Sequence, residues 1–235
     1  MAVADIKALA FDTGGTVLDW HAGIRAAFAE TGNRHGLERD WTSITNAYRR
    51  GSLRLMTNQK SPGFNIDDVH RRVLDELVAE HGLEMVSEAD RAAIVRRWHA
   101  LDAWPDFPPA LRRLRERRIV VSFTILSVSL IIDTARRNGL TWDAVISCEM
   151  LDVYKPLPEA YQRAARLLQL EPREIMMVAC HNFDLNAARG VGFRTCFVHR
   201  ADEWGTAGPP DPVPDPATDL VVADFAQLAD RMDAL

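Results

Sequence analysis

A chain of 235 residues buries roughly 70–75% of its unfolded surface and needs no covalent staples, so it is one large domain or a core that carries an insertion. Its formal net charge of −5 excludes nucleic acid and anionic membrane surfaces as partners. Cys148, Cys180 and Cys196 show no metal-ligand spacing, and no apolar stretch suits a signal peptide or a membrane span, so the expected location is cytoplasmic.

The first element is the apolar run from Ile6 to Phe11, which ends in Asp12 and is followed at once by Gly14, Gly15 and Thr16. A short apolar run bounded by a turn signal predicts a buried strand, with Asp12 at its carboxyl end beside the crevice of a parallel sheet. The two glycines free the backbone to turn tightly, so that amide N–H groups are expected to point at an anion, and Thr16 adds a hydroxyl. A carboxylate among donors suits a nucleophile. From this stretch alone, Asp12 serves equally well as a cap for a turn or helix.

A helix is expected from Asp19 to Glu30, and no convincing strand follows before Trp104. Trp41 to Leu55 predicts a helix leading into a loop from Thr57 to Asn65. Asp67 to His81 predicts a helix with Val69, Val73, Leu74, Leu77 and Val78 on one face and Gly82 as its C-terminal cap. Ser87 caps another that runs to His99. This all-helical block is broken by Trp104-Pro105-Asp106-Phe107-Pro108-Pro109.

The second half alternates. Helices are predicted over Pro109–Arg117, Ile131–Asn138, Pro158–Leu168 and Asp184–Gly190, with a terminal one from Asp224. Strands are predicted over Ile119–Leu126, Ala144–Cys148, Ile175–Cys180, Arg194–Val198 and Leu220–Val222, with a Pro- and Gly-rich loop over 205–217. Strands alternating with helices mean a parallel α/β sheet with right-handed crossovers. Strand ends at Asp12, Ser127 and His181/Asn182 would then share one edge with Lys155 and Asp184. Lys155 is one of three lysines, with Lys7 and Lys60, in a chain with 28 basic residues. Genome composition accounts for the arginine preference, but a retained lysine also fits a need for a compact ammonium.

Four pieces in this order resemble the haloacid dehalogenase superfamily: Phe11-Asp12-Thr13-Gly14-Gly15-Thr16, Ile125-Leu126-Ser127, Tyr154-Lys155-Pro156 and Val178-Ala179-Cys180-His181-Asn182-Phe183-Asp184. The resemblance implies a Rossmann-like core of residues 1–17 and 105–235 with an inserted helical cap of residues 18–104. Most members are phosphatases with a second Asp two residues after the nucleophile and a magnesium-binding Asp four residues before the position of Asp184. Those positions are Gly14 and Cys180 here, and a thiol suits a hard cation poorly. Without a cation, a phosphate dianion facing Asp12 would be poorly neutralised. The branch that tolerates both losses is the L-2-haloacid dehalogenases, which form an aspartyl ester with a short 2-haloacid and need no metal or other cofactor.

On that resemblance Asp12 is the nucleophile, Thr16 orients it, Lys155 keeps it ionised and Ser127 binds the substrate carboxylate. Asp184 positions Lys155 and the hydrolytic water, and Tyr161 supports the site from behind. Arg49, in Tyr48-Arg49-Arg50, is the cap arginine that holds substrate and halide, although a solvated helix charge is its plainer reading. His181, Asn182 and Phe183 join the substrate-binding set, and Trp41 or Phe64 are further aromatics for a halide pocket. Three departures stand out. Val128 follows Ser127 where Asn is usual, so one carboxylate donor is missing unless Ser129, counted here with the substrate-binding set, replaces it. Gly14 replaces a bulky aromatic and enlarges or reshapes the pocket. His181 stands where many dehalogenases have Asn. A homodimer is implied by the resemblance. An atypical phosphatase and a non-catalytic carboxylate-binding protein are the alternatives.

Overall fold

The computed structural model describes residues 5–57 and 65–234. Its core is a six-stranded parallel sheet in the order β3-β2-β1-β4-β5-β6. The strands are β1 Ala8–Phe11, β2 Ile119–Thr124, β3 Ala144–Ser147, β4 Ile175–Ala179, β5 Arg194–Val198 and β6 Leu220–Val222. β1 and β4 are buried along their whole length, as central strands covered on both faces must be. β1 pairs with β2 on one side and β4 on the other, with Phe11 opposite Ser122 and Val178. The strand order therefore reverses between β1 and β4, which opens the crevice at their carboxyl ends.

Four helices lie between β1 and β2: α1 Trp20–Arg34, α2 Trp41–Met56, α3 Ile66–Glu80 and α4 Glu88–Arg97. They pack on one another, α2 against α1 and α3, and α4 against α1 and α3. The chain leaves the sheet and returns to it at one place, where Leu18 bridges Ala103. Asp19 N–H donates to Asp102 O at 2.9 Å and Trp104 N–H to Val17 O at 2.9 Å. The remaining helices are α5 Phe107–Leu114, α6 Val128–Asn138, α7 Cys148–Leu151, α8 Pro158–Leu168, α9 Asn182–Gly190 and α10 Phe225–Asp233.

The sequence reading placed these elements well and misplaced some of their ends. Asp19 lies outside α1 as its cap, accepting from Ala22 N–H at 3.0 Å, and the helix runs on to Arg34. α6 starts three residues earlier than expected because Ser127 Oγ caps it through Leu130 N–H at 3.2 Å. α9 begins at Asn182, ahead of Asp184. The short α7 after β3 was not anticipated; it ends at Asp152, in the left-handed region at φ 52°. Most of the loop expected over 57–65, with Phe64, lies outside the described residues. Among the described residues no helix is long and apolar enough to cross a membrane, and all three cysteines are buried and free.

Candidate active site

Asp12 is the first residue past β1, and its N–H still donates to Val178 O at 3.0 Å. Its side chain is nearly buried, at 6% exposure. Lys155 Nζ donates to Asp12 Oδ1 at 2.9 Å, to Asp184 Oδ2 at 2.6 Å and to Phe123 O at 3.0 Å, which spends all three of its protons. Thr16 Oγ1 donates to Asp12 Oδ2 at 2.8 Å and accepts from Cys180 N–H at 3.1 Å. Tyr161 OH donates to Asp184 Oδ1 at 2.5 Å. Five of the expected residues thus form one connected network.

His181 Nδ1 stands 3.3 Å from Asp12 Oδ2, and its Nε2 is 3.0 Å from Glu203 Oε1. Phe183, 41% exposed, stacks on the His181 ring with centroids 5.5 Å apart. Arg49 reaches down from α2, and its Nη2 donates to Gly14 O at 3.4 Å. Its guanidinium lies 5.5 Å from the ring centroids of both Trp20 and Trp98. Arg49 Nε and Nη1 have no hydrogen-bond partner among the described residues. Asp12, Arg49, Lys155, His181, Phe183 and Asp184 line a cavity of about 20 Å³, room for about one water molecule.

The room expected from Gly14 is not open space. A Cβ on Gly14 would lie 3.1 Å from Arg49 Nη2, so the glycine lets the cap arginine descend to the strand. The amides of the turn are also not all free for an anion, because Gly15 N–H donates to Leu18 O at 3.1 Å. Ser127, Ser129 and Asn182 are not brought to this cavity. Ser127 Oγ donates to Asp67 Oδ2 of α3 at 3.0 Å and lies 3.3 Å from Ser129 Oγ. Asn182 faces the loop beyond β5, donating from its N–H to Asp211 Oδ2 at 2.9 Å and from Nδ2 to Val213 O at 2.8 Å. Trp41 stacks on Phe28 with centroids 6.4 Å apart, a packing role away from the cavity.

Sequence reasoning missed Glu203, Trp20 and Trp98. Glu203 is 1% exposed and accepts from Trp20 Nε1–H at 3.0 Å as well as facing His181. Gly15, at φ +98°, leaves the space it fills; a Cβ there would fall 2.1 Å from Glu203 Oε1. The signal available was position, since Glu203 follows β5 at the same sheet edge. The site so completed holds three buried carboxylates, Asp12, Asp184 and Glu203, against Lys155, His181 and Arg49.

These pairings set the charge states. Burial pushes the Asp12 carboxyl up, but Lys155 and His181 outweigh it and hold it well below the carboxylate range. Burial works against charge on His181, and Cys180, Glu203 and Asp12 overcome it, so its value is raised. For Asp184 burial dominates and the value is raised, with Lys155 offsetting part of it. Burial also pushes the Cys180 thiol up to about 11. Cys180, His181 and Glu203 bring ligand-type atoms within 4.8 Å of one another. Their hydrogen bonds to each other and to Trp20 already occupy those atoms.

The sheet, its switch point and the Asp12–Lys155–Asp184 network define a haloacid dehalogenase-like hydrolase. A family model of that description matches residues 6–192, and the chain belongs to that family. Within it the chain falls in the L-2-haloacid dehalogenase branch. It superposes with TM-score 0.90 on the crystal structure of a defluorinating L-2-haloacid dehalogenase, 33% identical over 97% of this chain and 95% of that one. A second L-2-haloacid dehalogenase superposes at 0.89 with 31% identity, over 98% of this chain and all of that one (100%). An (S)-2-haloacid dehalogenase of Xanthobacter autotrophicus is 27% identical over 86% of this chain and 78% of its own length.

Proposed function

We propose that this protein hydrolyses the carbon–halogen bond of a short 2-haloalkanoic acid through an ester on Asp12, with residues 18–104 acting as the cap. The observation that carries this reading is the setting of the Asp12 carboxylate: buried, ionised, and unequally held at its two oxygens. Oδ2 is bonded to Thr16 and faced by His181, while Oδ1 meets Lys155 alone. The less encumbered Oδ1 attacks the carbon bearing the halogen, and the carbon–halogen bonding pair leaves as halide. Arg49, with two nitrogens unspent, holds the substrate carboxylate and the departing anion.

Water then adds to Cγ of the ester, giving one proton to Asp184, whose raised value suits a base. The Cγ–Oδ1 bond breaks, and Oδ1 takes that proton and leaves as the hydroxyl of a 2-hydroxy acid. The Asp12 carboxylic acid so formed releases its proton to solvent. No proton donor is required by a halide leaving group, which is consistent with Gly14 at the position of the phosphatase acid. A cavity of about 20 Å³ favours short acids. Buried free thiols support a reducing, cytoplasmic setting, and a homodimer is the assembly expected from the family.

Halide release from chloroacetate, 2-chloropropionate and fluoroacetate in the presence of EDTA tests the reading. The wild type is expected to release halide from at least one, and Asp12→Asn from none. A wild type inert toward the whole panel, or one that releases phosphate from an aryl phosphate only with Mg²⁺, overturns it.

A further inference from the structure

We infer that Glu203 is a positioning residue that holds the His181 ring as an imidazolium, and that His181 is thereby a catalytic donor to Asp12 Oδ2 during hydrolysis of the ester. The inference deepens the dehalogenase reading and rests on it.

Both ring nitrogens of His181 face carboxylate oxygens, Nδ1 at 3.3 Å from Asp12 and Nε2 at 3.0 Å from Glu203. An ionised carboxylate only accepts, so a ring between two of them carries a proton on each nitrogen. Glu203 is built to stay ionised: it is 1% exposed, and one oxygen also accepts from Trp20 Nε1–H at 3.0 Å. Such charge-assisted bonds offset the burial of its charge. The other charged or titratable groups around the ring are Asp12 from β1, Cys180 beside it, and Arg49 from α2; Phe183 covers one face. Arg49 and Lys155 already bring two cations here, so a third needs the extra carboxylate that Glu203 supplies.

In the ester the alkyl group sits on Oδ1, and Oδ2 is the carbonyl oxygen. As water adds to Cγ and loses one proton to Asp184, the carbonyl π pair moves onto Oδ2. The donors there are the Thr16 hydroxyl and the His181 Nδ1–H, which tighten as charge develops. His181 transfers no proton in this step. A neutral ring would keep its proton on Nε2, toward Glu203, and turn a lone pair of Nδ1 on Oδ2. Loss of one proton thus converts attraction into repulsion.

The test joins ¹⁵N NMR of the histidine rings to rapid-quench kinetics with chloroacetate. In the wild type both His181 nitrogens are expected to be protonated at about pH 8, and in Glu203→Gln the ring is expected to titrate at lower pH. In that variant the halide burst is retained while mass spectrometry finds the ester accumulating on Asp12. Its kcat at about pH 8 falls about tenfold or more, and the alkaline limb of kcat moves down by about one pH unit or more. Glu203→Asp, which keeps the charge, restores most of both. A wild-type His181 with an unprotonated Nδ1 at neutral pH, or a Glu203→Gln enzyme with an unshifted limb and no trapped ester, overturns the inference while leaving dehalogenation standing. Absence of any wild-type halide release overturns both. If Glu203→Gln does not fold, the wild type decides: its quenched ester fraction must grow as pH rises, and a flat fraction refutes the role.

Discussion

Gly14 and Arg49 share one small volume: the Arg49 Nη2 donates to Gly14 O at 3.4 Å, and a Cβ on Gly14 would stand 3.1 Å from the same nitrogen. In this chain the volume that a side chain at 14 would take is filled by the Arg49 guanidinium. On the proposed reading, residue 14 and Arg49 act as one substrate-binding feature contributed by both layers.

Gly14→Ala should push the guanidinium back by a few tenths of an ångström. A strain of about 1 kcal/mol corresponds to roughly a fivefold rise in KM, with kcat changed less. Gly14→Phe should displace Arg49 altogether and abolish turnover. Steady-state kinetics with a haloacetate check both, and an unchanged KM in Gly14→Ala contradicts the shared volume.

Arg49→Lys is expected to lower kcat/KM by about a hundredfold or more, because an ammonium lacks the planar fork and packs less well against the two indoles. The wild-type guanidinium lies 5.5 Å from both the Trp20 and Trp98 rings. Arg50, its neighbour on α2, is the control. It is exposed, and Arg50→Lys should leave kcat/KM within about twofold, as surface changes do.

Tyr161→Phe removes the donor to Asp184 Oδ1 at 2.5 Å while keeping the ring against Phe123, 5.3 Å between centroids. Leaving that buried oxygen short of a partner should cost about 1–3 kcal/mol of stability. The freed carboxylate should also hold Lys155 less firmly and reduce kcat. Denaturant unfolding and halide release measure the two effects, and a variant as stable as wild type would place Tyr161 outside the network.

His99 links the cap to the core, with Nε2 3.4 Å from Asp67 and Nδ1 2.8 Å from Asp133, and Asp67 in turn accepts from Ser127. The Asp67 bond raises the His99 value above 6.5, with burial opposing and Asp133 assisting. A value raised on folding gives stability that is complete below the unfolded value and disappears as pH rises through the folded one. The melting temperature should accordingly fall as pH rises from 6.5 through that raised value, and His99→Gln should flatten this slope. Calorimetry across neutral pH reads the difference; parallel slopes would show that His99 carries none of it.

Much of this site was legible because its signals are local. An apolar run ending in Asp12, Lys155 in Tyr154-Lys155-Pro156 and Asp184 at a helix start are each patterns of a few adjacent residues, and the alternating elements put them on one edge. Arg49 was chosen on the resemblance alone, since consecutive helix positions point about 100° apart and nothing in Tyr48-Arg49-Arg50 says which faces inward. Ser127 was read at the end of a strand, but β2 stops at Thr124 and Ser127 caps α6; its bond to Asp67 was not legible because that approach depends on how α3 packs. Glu203 was hidden because its partner His181 is 22 residues away in sequence and the pairing exists only once β5 has returned beside β4.

The fit of Gly15 beneath Glu203 carries a historical corollary. A methyl at 15 would land 2.1 Å from the glutamate oxygen, so position 15 is not at liberty to drift while the acid stays. Descendants that acquire a side chain at 15 should have surrendered the acid at 203 beforehand, and lineages that keep the acid should be locked to glycine. The constraint runs one way, from the acid to the glycine, across 188 positions of chain.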